Sequence, residues 1–448
     1  MSPPRGPYVA FKPENLAVIE RAKKRGNEAH AERKYGQAII EYGKAIACFF
    51  DSITPMPAPP DAPPGPFDPG TLLAQLYANR SSAFLRDKKF DRALADGQEG
   101  AKHSRWYKPR YRQGEAWLAL REYSKALESF EEAIRMLGPT VSDQSDEGLW
   151  RSRVDQIQKK IMKTETMRDD EILGFRLHQI SPSNGDLCAK QFLAPIQNLV
   201  FSYARQMKNF IYLCENIATS ECLVVDACWD IDGILKYAHS RKLKIVGAIV
   251  THAHIDHVGG IPPPPFDIPG IRVDGLAKLL KKLPSISAYV NPGDIPAITK
   301  ANPEIPLNRL VKTEDGGTIC LPMSLNGGAA AKLSPNHSPA GKNTIFQFIH
   351  TPGHSPGSQC ILINGNRLLS GDTLFIKSCG RVDFPDSNVS DMHHSLQKKL
   401  ATLPDHVVVY PGHAYGGDMT TIVDEKRNGV LQPQDYESFA KIMNEAVN

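Results

Sequence analysis

No segment of this chain approaches the roughly 20 consecutive apolar residues that a membrane-spanning helix needs. Residues 1–7 lack the apolar core of a secretory signal, and they do not form the Arg- and Ser-rich amphipathic helix of a transit peptide. The eight cysteines include no CxxC pair, which in a chain of this length predicts reduced, mostly buried thiols rather than a disulfide framework. Together these absences predict a cytoplasmic protein with no membrane partner.

Neither sign of charge dominates the chain. A net charge of +4 spread over 448 residues gives no indication of a nucleic-acid partner, and the Lys/Arg clusters at residues 21–25 and 108–112 are local. Apolar residues make up 41% of the chain and charged residues 23%, which is typical of a globular protein. The length predicts two to three domains.

Residues 251–260 contain the densest group of metal-ligand side chains. The group comprises His252, His254, Asp256 and His257. It follows residues 244–250, a short apolar run that predicts a buried strand. A single histidine is commonly a satisfied core or surface residue, and we interpret His178 and His239 in that way. Three imidazoles and a carboxylate on one turn instead predict a metal site, and both ligand types suit zinc and iron alike.

Three further candidate ligands each follow a predicted strand. They are His354 after residues 345–349, Asp372 after residues 367–371 and His413 after residues 407–410. Residues 211–213 and 222–226 predict a pair of strands, and residues 231–241 predict a helix before the strand that precedes the motif. Loops at one edge of a sheet are where such polar residues can converge.

The first third of the chain has a different, helical pattern. Small residues followed by aromatics recur three times, and Ala93 and Ala126 mark equivalent positions 33 residues apart. The step from Ala38 to Ala93 is 55 residues, and the excess matches the Pro-rich segment 54–70, which we expect to be a disordered or polyproline insert. Residues 147–167 predict an amphipathic helix that covers the last repeat.

This spacing resembles the tetratricopeptide repeat, whose period is about 34 residues. In the members of that family that grip cytosolic heat-shock chaperones, two lysines, two asparagines and an arginine form a carboxylate clamp. The matching residues here are Lys23, Asn27, Asn79, Lys108 and Arg112. The resemblance implies that these cations and amides hold the C-terminal peptide of a chaperone. The alternative is that the charged residues coat solvated helix faces.

The ordered set HxHxDH, His, Asp, His resembles that of the metallo-β-lactamase superfamily over roughly residues 171–425. The resemblance implies an αββα sandwich with two metal positions. By the family pattern, the first metal is held by His252, His254 and His354. The second is held by Asp256, His257 and His413, with Asp372 bridging the two and Asp256 as the candidate catalytic residue. Asp226 is expected beside the candidate ligands, where its carboxylate would accept hydrogen bonds that hold them in place.

Residues 371–384 look like the glyoxalase II-like and persulfide dioxygenase-like group, which implies substrates of the glutathione thioester or persulfide type. In that group an arginine such as Arg381 lies near the site, which makes it a candidate substrate-binding residue. The alternative is that Arg381 pairs with Asp383 or Asp386. Two features depart from the group. Only about thirty-five residues follow His413, and 97 residues separate His257 from His354, a span expected to shape the substrate pocket.

We therefore expect a multidomain chain, with an all-α tetratricopeptide repeat solenoid followed by an αββα metallo-β-lactamase sandwich. The expected boundaries are 13–140 for three repeats with a Pro-rich insert at about 51–70, 141–170 for a capping helix and linker, 171–425 for the sandwich and 426–448 for a tail. The expected activity is hydrolysis of a thioester or related small substrate by a hydroxide activated by two zinc ions. The alternatives are a persulfide dioxygenase with one iron, held by His252, His354 and Asp372, and a chaperone-bound adaptor with little catalysis.

Overall fold

The structure, a computed structural model, divides into two compact units, Met1–Asp169 and Asp170–Asn448. It describes the following residues: 8–10, 13–52, 54–56, 68–137, 147–183, 187, 195–262, 269–322 and 343–445. Across these ranges, no helix combines the length and the apolar character needed to cross a bilayer.

The first unit contains three helical hairpins and a longer helix after them. The helices are α1 Pro13–Ala31, α2 Tyr35–Asp51, α3 Pro69–Arg86, α4 Phe90–His103, α5 Tyr107–Ala119, α6 Tyr123–Leu137 and α7 Glu147–Ile172. Each hairpin turn places one residue in the left-handed region, with φ of 60° at Arg33, 59° at Lys88 and 63° at Arg121. These three turns are 55 and 33 residues apart, the same steps that separate the repeated alanines, which supports the predicted repeat.

Glycine allows the helices of a hairpin to approach closely. A Cβ added at Gly26 of α1 would lie 2.5 Å from the ring of Tyr42 on α2, and one at Gly114 of α5 would lie 2.6 Å from the ring of Phe130 on α6. Both rings are buried. The same small-to-aromatic contact therefore closes the first and the third hairpin, as expected of a repeat solenoid.

Two details of the first unit differ from the sequence expectations. Helix α3 begins at Pro69, inside the segment that we expected to be non-helical, because proline is well tolerated in the first turn and the Asp68 side chain accepts a hydrogen bond from Gly70 N. Strand β1 (Tyr8–Ala10) pairs antiparallel with β2 (Thr54–Met56) at the start of the predicted insert. Residues 57–67 of that insert lie outside the described residues. A helix occupies the segment predicted to cover the last repeat, since α7 begins at Glu147 and extends five residues beyond residue 167.

Two six-stranded sheets form the centre of the second unit. The first has the order β3-β4-β5-β6-β7-β8, with strands Phe175–Ile180, Ile211–Asn216, Glu221–Val225, Lys244–Ile249, Ala288–Val290 and Leu310–Lys312. The second has the order β14-β13-β12-β11-β10-β9, with β9 to β14 at Thr318–Leu321, Thr344–His350, Gln359–Ile363, Arg367–Gly371, Val408–Pro411 and Thr420–Thr421. The parallel pairs are β5–β6, β6–β7, β7–β8 and β12–β13.

Eight helices occur in the described part of the second unit. They are α8 Pro195–Met207, α9 Ile231–Ser240, α10 Ile255–Val258, α11 Leu276–Lys282, α12 Ile295–Ala301, α13 Val389–His394, α14 Ile422–Asn428 and α15 Tyr436–Glu445. Buried residues of α9, α11 and α12 pack on the first sheet, while those of α13, α14 and α15 pack on the second. Single helical turns occur at Pro292–Asp294, Leu307–Arg309, Ser395–Lys399 and Leu400–Thr402.

Alternation along the strands divides the core into layers. On β5, Val224 packs towards α9 while Leu223 packs between the sheets. On β13, Val409 packs towards α13 and α15 while Val408 packs between the sheets. Successive side chains point to opposite faces of a strand. Each sheet therefore presents apolar residues both to the other sheet and to the helices that pack on it. The result is the expected αββα sandwich.

The strands predicted before the candidate ligands are confirmed as β6, β10, β12 and β13. Residues 426–448 are not simply a tail, because helix α15 lies within them and its Phe439 is buried in the outer core of the second sheet. The long span between His257 and His354 contributes β7, β8 and β9 to the two sheets, so this part of it is integral to the sandwich. Residues 263–268 and 323–342 of the span lie outside the described residues.

The contact between Gly114 and Phe130 leads to a test of the repeat packing. We expect Gly114→Val to lower the free energy of unfolding of the first unit by about 1–3 kcal/mol, because the added atoms overlap a buried ring. Urea unfolding of the full chain can be followed by tryptophan fluorescence, since three of the four tryptophans lie in residues 1–169.

Gly43→Ala is the matched control, because the nearest atom to its new Cβ, on the Arg80 side chain, is 3.7 Å away. It should leave stability unchanged or raise it by up to about 1 kcal/mol, since alanine favours helix over glycine. Equal effects of the two substitutions would contradict the packing role of Gly114.

Candidate metal centre

Seven candidate ligands meet at one end of the two sheets. His252, His254, Asp256 and His257 follow β6, the last two within the short helix α10, whereas His354, Asp372 and His413 follow β10, β12 and β13. His252 and His257 are each only 1% exposed, and the others are also largely buried. The sheet that carries β6 and the sheet that carries the other three strands therefore both contribute to one site.

The ligand atoms form three overlapping groups, each with its atoms within 4.8 Å of one another. The groups are His252/His254/His354, His252/His257/Asp372 and Asp256/His257/His413. His254 Nδ1 lies 2.8 Å from His354 Nε2, and His257 Nε2 lies 3.2 Å from His413 Nε2. Asp372 Oδ2 lies 3.6 Å from His354 Nε2 and 3.2 Å from His413 Nε2, so this carboxylate is close to both clusters of rings.

Four of the five imidazoles are fixed through Nδ1, with Nε2 directed into the site. His354 donates from Nδ1 to the carbonyl of Arg381 at 2.7 Å, and His413 donates to the carbonyl of Met207 at 2.6 Å. His257 Nδ1 lies 2.8 Å from Asp226 Oδ2, and His252 Nδ1 lies 3.1 Å from the Thr251 hydroxyl. Such outer hydrogen bonds set the tautomer and orientation of a histidine ligand.

Asp226 supports the β6 loop as expected from the sequence. It follows β5 in a left-handed conformation, with φ of 53°. Its carboxylate accepts hydrogen bonds from Thr251 N at 2.8 Å and from Thr251 Oγ1 at 2.7 Å, in addition to the contact with His257. One buried carboxylate therefore fixes both the start of the loop and one of its rings.

Two residues at the site were not found by sequence reasoning. Asn209 Nδ2 donates to Asp256 Oδ2 at 3.0 Å, and the indole of Trp229 donates to Asn209 Oδ1 at 3.0 Å. Residues 209 and 413 also form an isolated β-bridge, which places the amide next to His413. The only signal in the sequence is a polar residue directly before the predicted strand at 211–213, and this is too common to indicate a site.

Asp294 is a third residue that sequence reasoning missed. It is 1% exposed, and its carboxylate accepts hydrogen bonds from Ala253 N, Ser355 Oγ and Gly357 N at 2.7 to 2.8 Å. These bonds connect the loop of His254 to the loop of His354. Burial raises the pKa of Asp294, although its three hydrogen bonds favour the ionised form.

Glycines leave space around the ligand side chains. A Cβ at Gly412 would lie 2.3 Å from Asp372 Oδ1, and one at Gly371, where φ is +51°, would lie 2.7 Å from the Thr251 side chain. The close approach of β12 and β13 to the β6 loop therefore requires glycine at both positions.

Burial favours the neutral form of His252 and His254, two of the three rings of the first group. Burial lowers the pKa of His252 well below its usual value, and His257 and His254 add to this effect. Burial also lowers the pKa of His254 to about 4, with His354 adding to the effect. Neutral imidazoles can offer a lone pair to a cation.

In the group Asp256/His257/His413, nearby carboxylates raise the pKa of the histidines and outweigh the lowering by burial. Burial opposes the charge on His257, but Asp372, Asp256 and Asp226 outweigh it and raise the pKa of His257 to about 9. Burial likewise opposes the charge on His413, whereas Asp372 and Asp256 raise its pKa to about 12. Burial disfavours ionisation of Asp372, but His413 and His257 lower its pKa to about 2. In the metal-free chain, protons on two rings therefore balance the buried carboxylates.

The donor set fits a metal ion. Among the described residues, only three buried side-chain nitrogen or oxygen atoms lack a hydrogen-bond partner, and two of them are His252 Nε2 and Asp372 Oδ1. Leaving such atoms unpaired is costly, whereas a cation would satisfy both of them. Five imidazoles with two carboxylates suit zinc and iron, which the sequence also indicated.

Two aromatic rings flank the histidines. Phe384 lies edge-on to His254 with ring centroids 5.0 Å apart, and Tyr415 stacks on His413 at 4.7 Å. The side chain of Arg381 is 69% exposed and pairs with Asp383, with its Nε 2.8 Å from Oδ1, while its guanidinium lies over Phe384. The pairing of Arg381 with Asp383 is one of the alternatives that the sequence left open. A substrate-binding role for Arg381 stays a prediction.

The five candidate clamp residues lie on the first helix of each hairpin. Lys23 and Asn27 are on α1, Asn79 is on α3, and Lys108 and Arg112 are on α5. Asn79 Nδ2 donates to Asn27 Oδ1 at 3.2 Å, so the two amides face each other. Lys23 pairs with Glu20 at 2.9 Å and Arg112 pairs with Glu115. Lys108 lies over the ring of Trp106, with its Nζ 5.1 Å from the centroid.

The protons on His257 and His413 can be counted when a metal binds. Loading of the metal-free chain with Zn²⁺ near pH 7 should release about two protons, because only neutral imidazole binds a metal. Apparent affinity should therefore rise by up to about 100-fold per pH unit below pH 9. Calorimetric titration in buffers of different ionisation enthalpy measures the number of protons.

His413→Gln should release about one proton fewer than the wild-type chain, since one of the two protonated rings is missing. A metal affinity that is independent of pH would show that both rings are already neutral before the metal binds.

Several known proteins are similar to parts of this chain. Residues 207–413 match the family model of the metallo-beta-lactamase superfamily. The chain is 26% identical over 245 residues to the probable polyketide biosynthesis zinc-dependent hydrolase BaeB of Bacillus velezensis, a match that covers 54% of this chain and 90% of that protein. It is 24% identical over 285 residues to the mitochondrial persulfide dioxygenase ETHE1 of Mus musculus, covering 61% of this chain and 86% of that protein.

Among solved structures, the first TPR of Spaghetti (RPAP3) bound to the HSP90 peptide SRMEEVD is 21% identical, with a TM-score of 0.23. The match covers 32% of this chain and 94% of that chain. The helical hairpins and the two-sheet sandwich described above give the fold of the chain, a tetratricopeptide-type helical unit followed by a metallo-β-lactamase-type αββα domain whose residues 207–413 match the superfamily model.

Proposed function

We propose that the second unit is a metal-dependent hydrolase that acts on a thioester or a related small substrate. The observation that carries this proposal is the convergence of seven candidate ligand side chains, with His252 Nε2 and Asp372 Oδ1 buried without a hydrogen-bond partner. His252, His254 and His354 would hold the first metal, and Asp256, His257 and His413 the second. Asp372 would bridge the two, since its carboxylate lies beside both clusters.

When bound, the metal pair supplies a Lewis acid that lowers the pKa of a water molecule and polarises the scissile carbonyl. The residues of the chain hold this arrangement in place. Asp226 and the carbonyls of Arg381 and Met207 fix three of the rings through Nδ1, so that each Nε2 is presented to the site. Little reorganisation is then needed during the reaction.

Asp256 is the candidate catalytic carboxylate. Burial opposes its ionisation, but His257 and His413 outweigh burial and hold its pKa well below the usual range. It is therefore an anion at neutral pH, and Asn209 fixes one of its oxygens. An ionised carboxylate in this position can serve as a metal ligand and as a hydrogen-bond acceptor for the attacking water.

The thioester class is supported by the likeness of residues 371–384 to glyoxalase II-like enzymes and by the surroundings of the ligands. Phe384 and Tyr415 place apolar surface on either side of the histidines, which suits an acyl group. Arg381 is the candidate contact for an anionic group of the substrate. In that role its guanidinium would release Asp383 and pair with the substrate anion instead.

A second candidate function is oxidation of a persulfide at a single iron. The likeness to persulfide dioxygenase ETHE1 over 86% of the mouse protein favours it. In that case His252, His354 and Asp372 would hold the iron, and the remaining ligand candidates would be idle.

Metal analysis of the purified full chain, combined with two assays, distinguishes the two functions. We expect close to two zinc ions per chain together with hydrolysis of glutathione thioesters. His254→Ala should lower kcat/KM for the thioester by more than about 100-fold. Removing a metal ligand has a larger effect than removing a residue that only hydrogen-bonds to a ligand.

His239→Ala is the control, since this exposed histidine lies outside the site on α9. One iron per chain with oxygen uptake on glutathione persulfide would replace the hydrolase with the dioxygenase. A metal-loaded chain that is inactive in both assays would favour the adaptor. Full activity of His254→Ala would contradict the metal-centre assignment.

We further propose that the first unit binds the C-terminal peptide of a cytosolic heat-shock chaperone. The support is that cations and amides on α1, α3 and α5 point into the same region. Lys23 Nζ reaches Gln75 on α3 at 3.4 Å, and Asn79 reaches back to Asn27 on α1. Arg112 on α5 is close enough to lower the pKa of His30 on α1, although burial is the larger cause of that shift. Such a set can hold a terminal carboxylate and a neighbouring Asp side chain.

Lys108→Ala tests this clamp. It should weaken binding of a peptide that ends in Met-Glu-Glu-Val-Asp by more than about 10-fold, because a charge-assisted hydrogen bond is lost. Fluorescence anisotropy with a labelled peptide measures the Kd. Lys125→Ala is the matched control, since Lys125 pairs with Glu122 on the second helix of the last hairpin. Unchanged affinity in Lys108→Ala would remove the clamp proposal.

A further inference from the structure

Helix α7 lies along α5 with one face in a regular register. The guanidinium of Arg153 is 6.0 Å from the ring centroid of Tyr107, and Gln156 donates to the hydroxyl of Tyr111 at 3.5 Å. One turn further along both helices, Lys160 pairs with Glu115 at 3.1 Å.

Residue numbers thus increase together along the two helices, with steps of three to four on each, so α7 runs parallel to α5 and presents a single face to it. The side chain of Ile157 on the same face is 1% exposed and packs in the core of the last repeat. Helix α7 therefore continues the row of helices that carries the clamp candidates.

The region where α5 and α7 meet has an excess of positive charge. Lys108 and Arg112 lie one turn apart on α5, and Arg153 lies over the neighbouring ring of Tyr107. In keeping with this placement, burial lowers the pKa of Lys108 and the two arginines lower it further. Glu115 is the carboxylate in this region, and it is already shared by Arg112 and Lys160.

Within the ranges that the structure describes, neither Lys108 nor Arg153 forms an ion pair. Both contact aromatic rings, and both are partly exposed. Two neighbouring, partly buried cations that have no carboxylate of their own among the described residues repel each other, and an acidic ligand would relieve this repulsion.

We propose that Arg153 extends the clamp, so that the groove prefers peptides with an additional acidic side chain before the C-terminal Asp. This inference rests on the proposed clamp and assigns a specificity role to α7. Its carrying observation is that Arg153, which forms no ion pair among the residues that the structure describes, lies on the face of α7 that packs on Tyr107, the neighbour of Lys108 on α5.

The position of Arg153 suits it to contact an acidic side chain of the peptide other than the C-terminal Asp. The two amides and Lys23 lie on α1 and α3, and Lys108 and Arg112 lie on α5, which together can satisfy the terminal carboxylate and the Asp side chain. Arg153 lies on α7, on the next helix of the row after α5. A peptide held by the first five residues would reach it only with a further side chain, and a carboxylate matches the planar donor fork of arginine.

The test is a double-mutant cycle with the full chain and two labelled peptides, Ser-Arg-Met-Glu-Glu-Val-Asp and the same peptide with both Glu residues replaced by Gln. Arg153→Gln should weaken binding of the acidic peptide by about 3- to 10-fold and of the Gln peptide by less than about 2-fold. Arg153→Lys should retain most of the preference because the charge is kept. Fluorescence anisotropy at low and at high salt gives the four Kd values, and the preference should shrink as salt screens the charges.

Lys159→Gln is the matched control, because Lys159 is on the same helix but pairs with Asp155 on its exposed face. It should affect both peptides equally and weakly. Equal effects of Arg153→Gln on the two peptides, or a Lys159→Gln effect of the same selective size, would overturn the role of Arg153.

The two proposals fail in different ways. If the wild-type chain binds the acidic peptide and Lys108→Ala abolishes binding, but Arg153→Gln changes neither Kd, the clamp stands and its extension is overturned. If the wild-type chain binds neither peptide, the clamp and its extension are both overturned. Far-UV circular dichroism of each variant separates loss of binding from loss of the helical fold.

Discussion

Apolar side chains between the two sheets hold together the strand ends from which the candidate ligands project. Ile249 of β6, Phe346 and Phe348 of β10, Leu369 of β12 and Val408 of β13 all belong to this layer. The ligand loops leave these same four strands. A shift of one sheet relative to the other would separate His252 from Asp372, because they come from different sheets. The position of the candidate metal centre is therefore a consequence of sheet packing, and the loops set the local orientation of its side chains.

The loops at this edge are fixed by buried carboxylates that are not ligand candidates. Asp226 holds the start of the β6 loop, and Asp294 connects that loop to the one that carries His354. The oxygens of both side chains are satisfied by hydrogen bonds, as those of a buried polar group must be. The candidate ligands are balanced differently, since burial opposes charge on His257 and His413 but nearby carboxylates outweigh it and raise the pKa of both rings. Metal binding and proton release are for this reason linked in the same site.

Packing also sets the geometry of the helical unit. There it does so through small residues, which let neighbouring helices approach closely. Gly26 and Gly114 let their hairpins close onto aromatic rings, and this brings the first helices of the hairpins side by side. Polar residues from α1, α3 and α5 then share one region, and α7 adds Arg153 beside them. The absence of an ion pair for Lys108 and Arg153, in the part of the chain that the structure describes, distinguishes this region from the paired charges on the outer helix faces.

The sequence by itself determined the two fold classes, the strands that precede the ligands and the seven ligand candidates, because each of these has a local signature. Periodicity predicts a helix or a strand, and three histidines crowded on one turn indicate a metal site. Only the tertiary structure decided which distant residues support the site. Asn209, Trp229 and Asp294 are far from the motif in sequence and are common residue types, so no local pattern identifies them. The pairing of Arg381 with Asp383 and the placement of Arg153 beside Lys108 were likewise decided by packing, because a charged side chain takes its role from its neighbours in space.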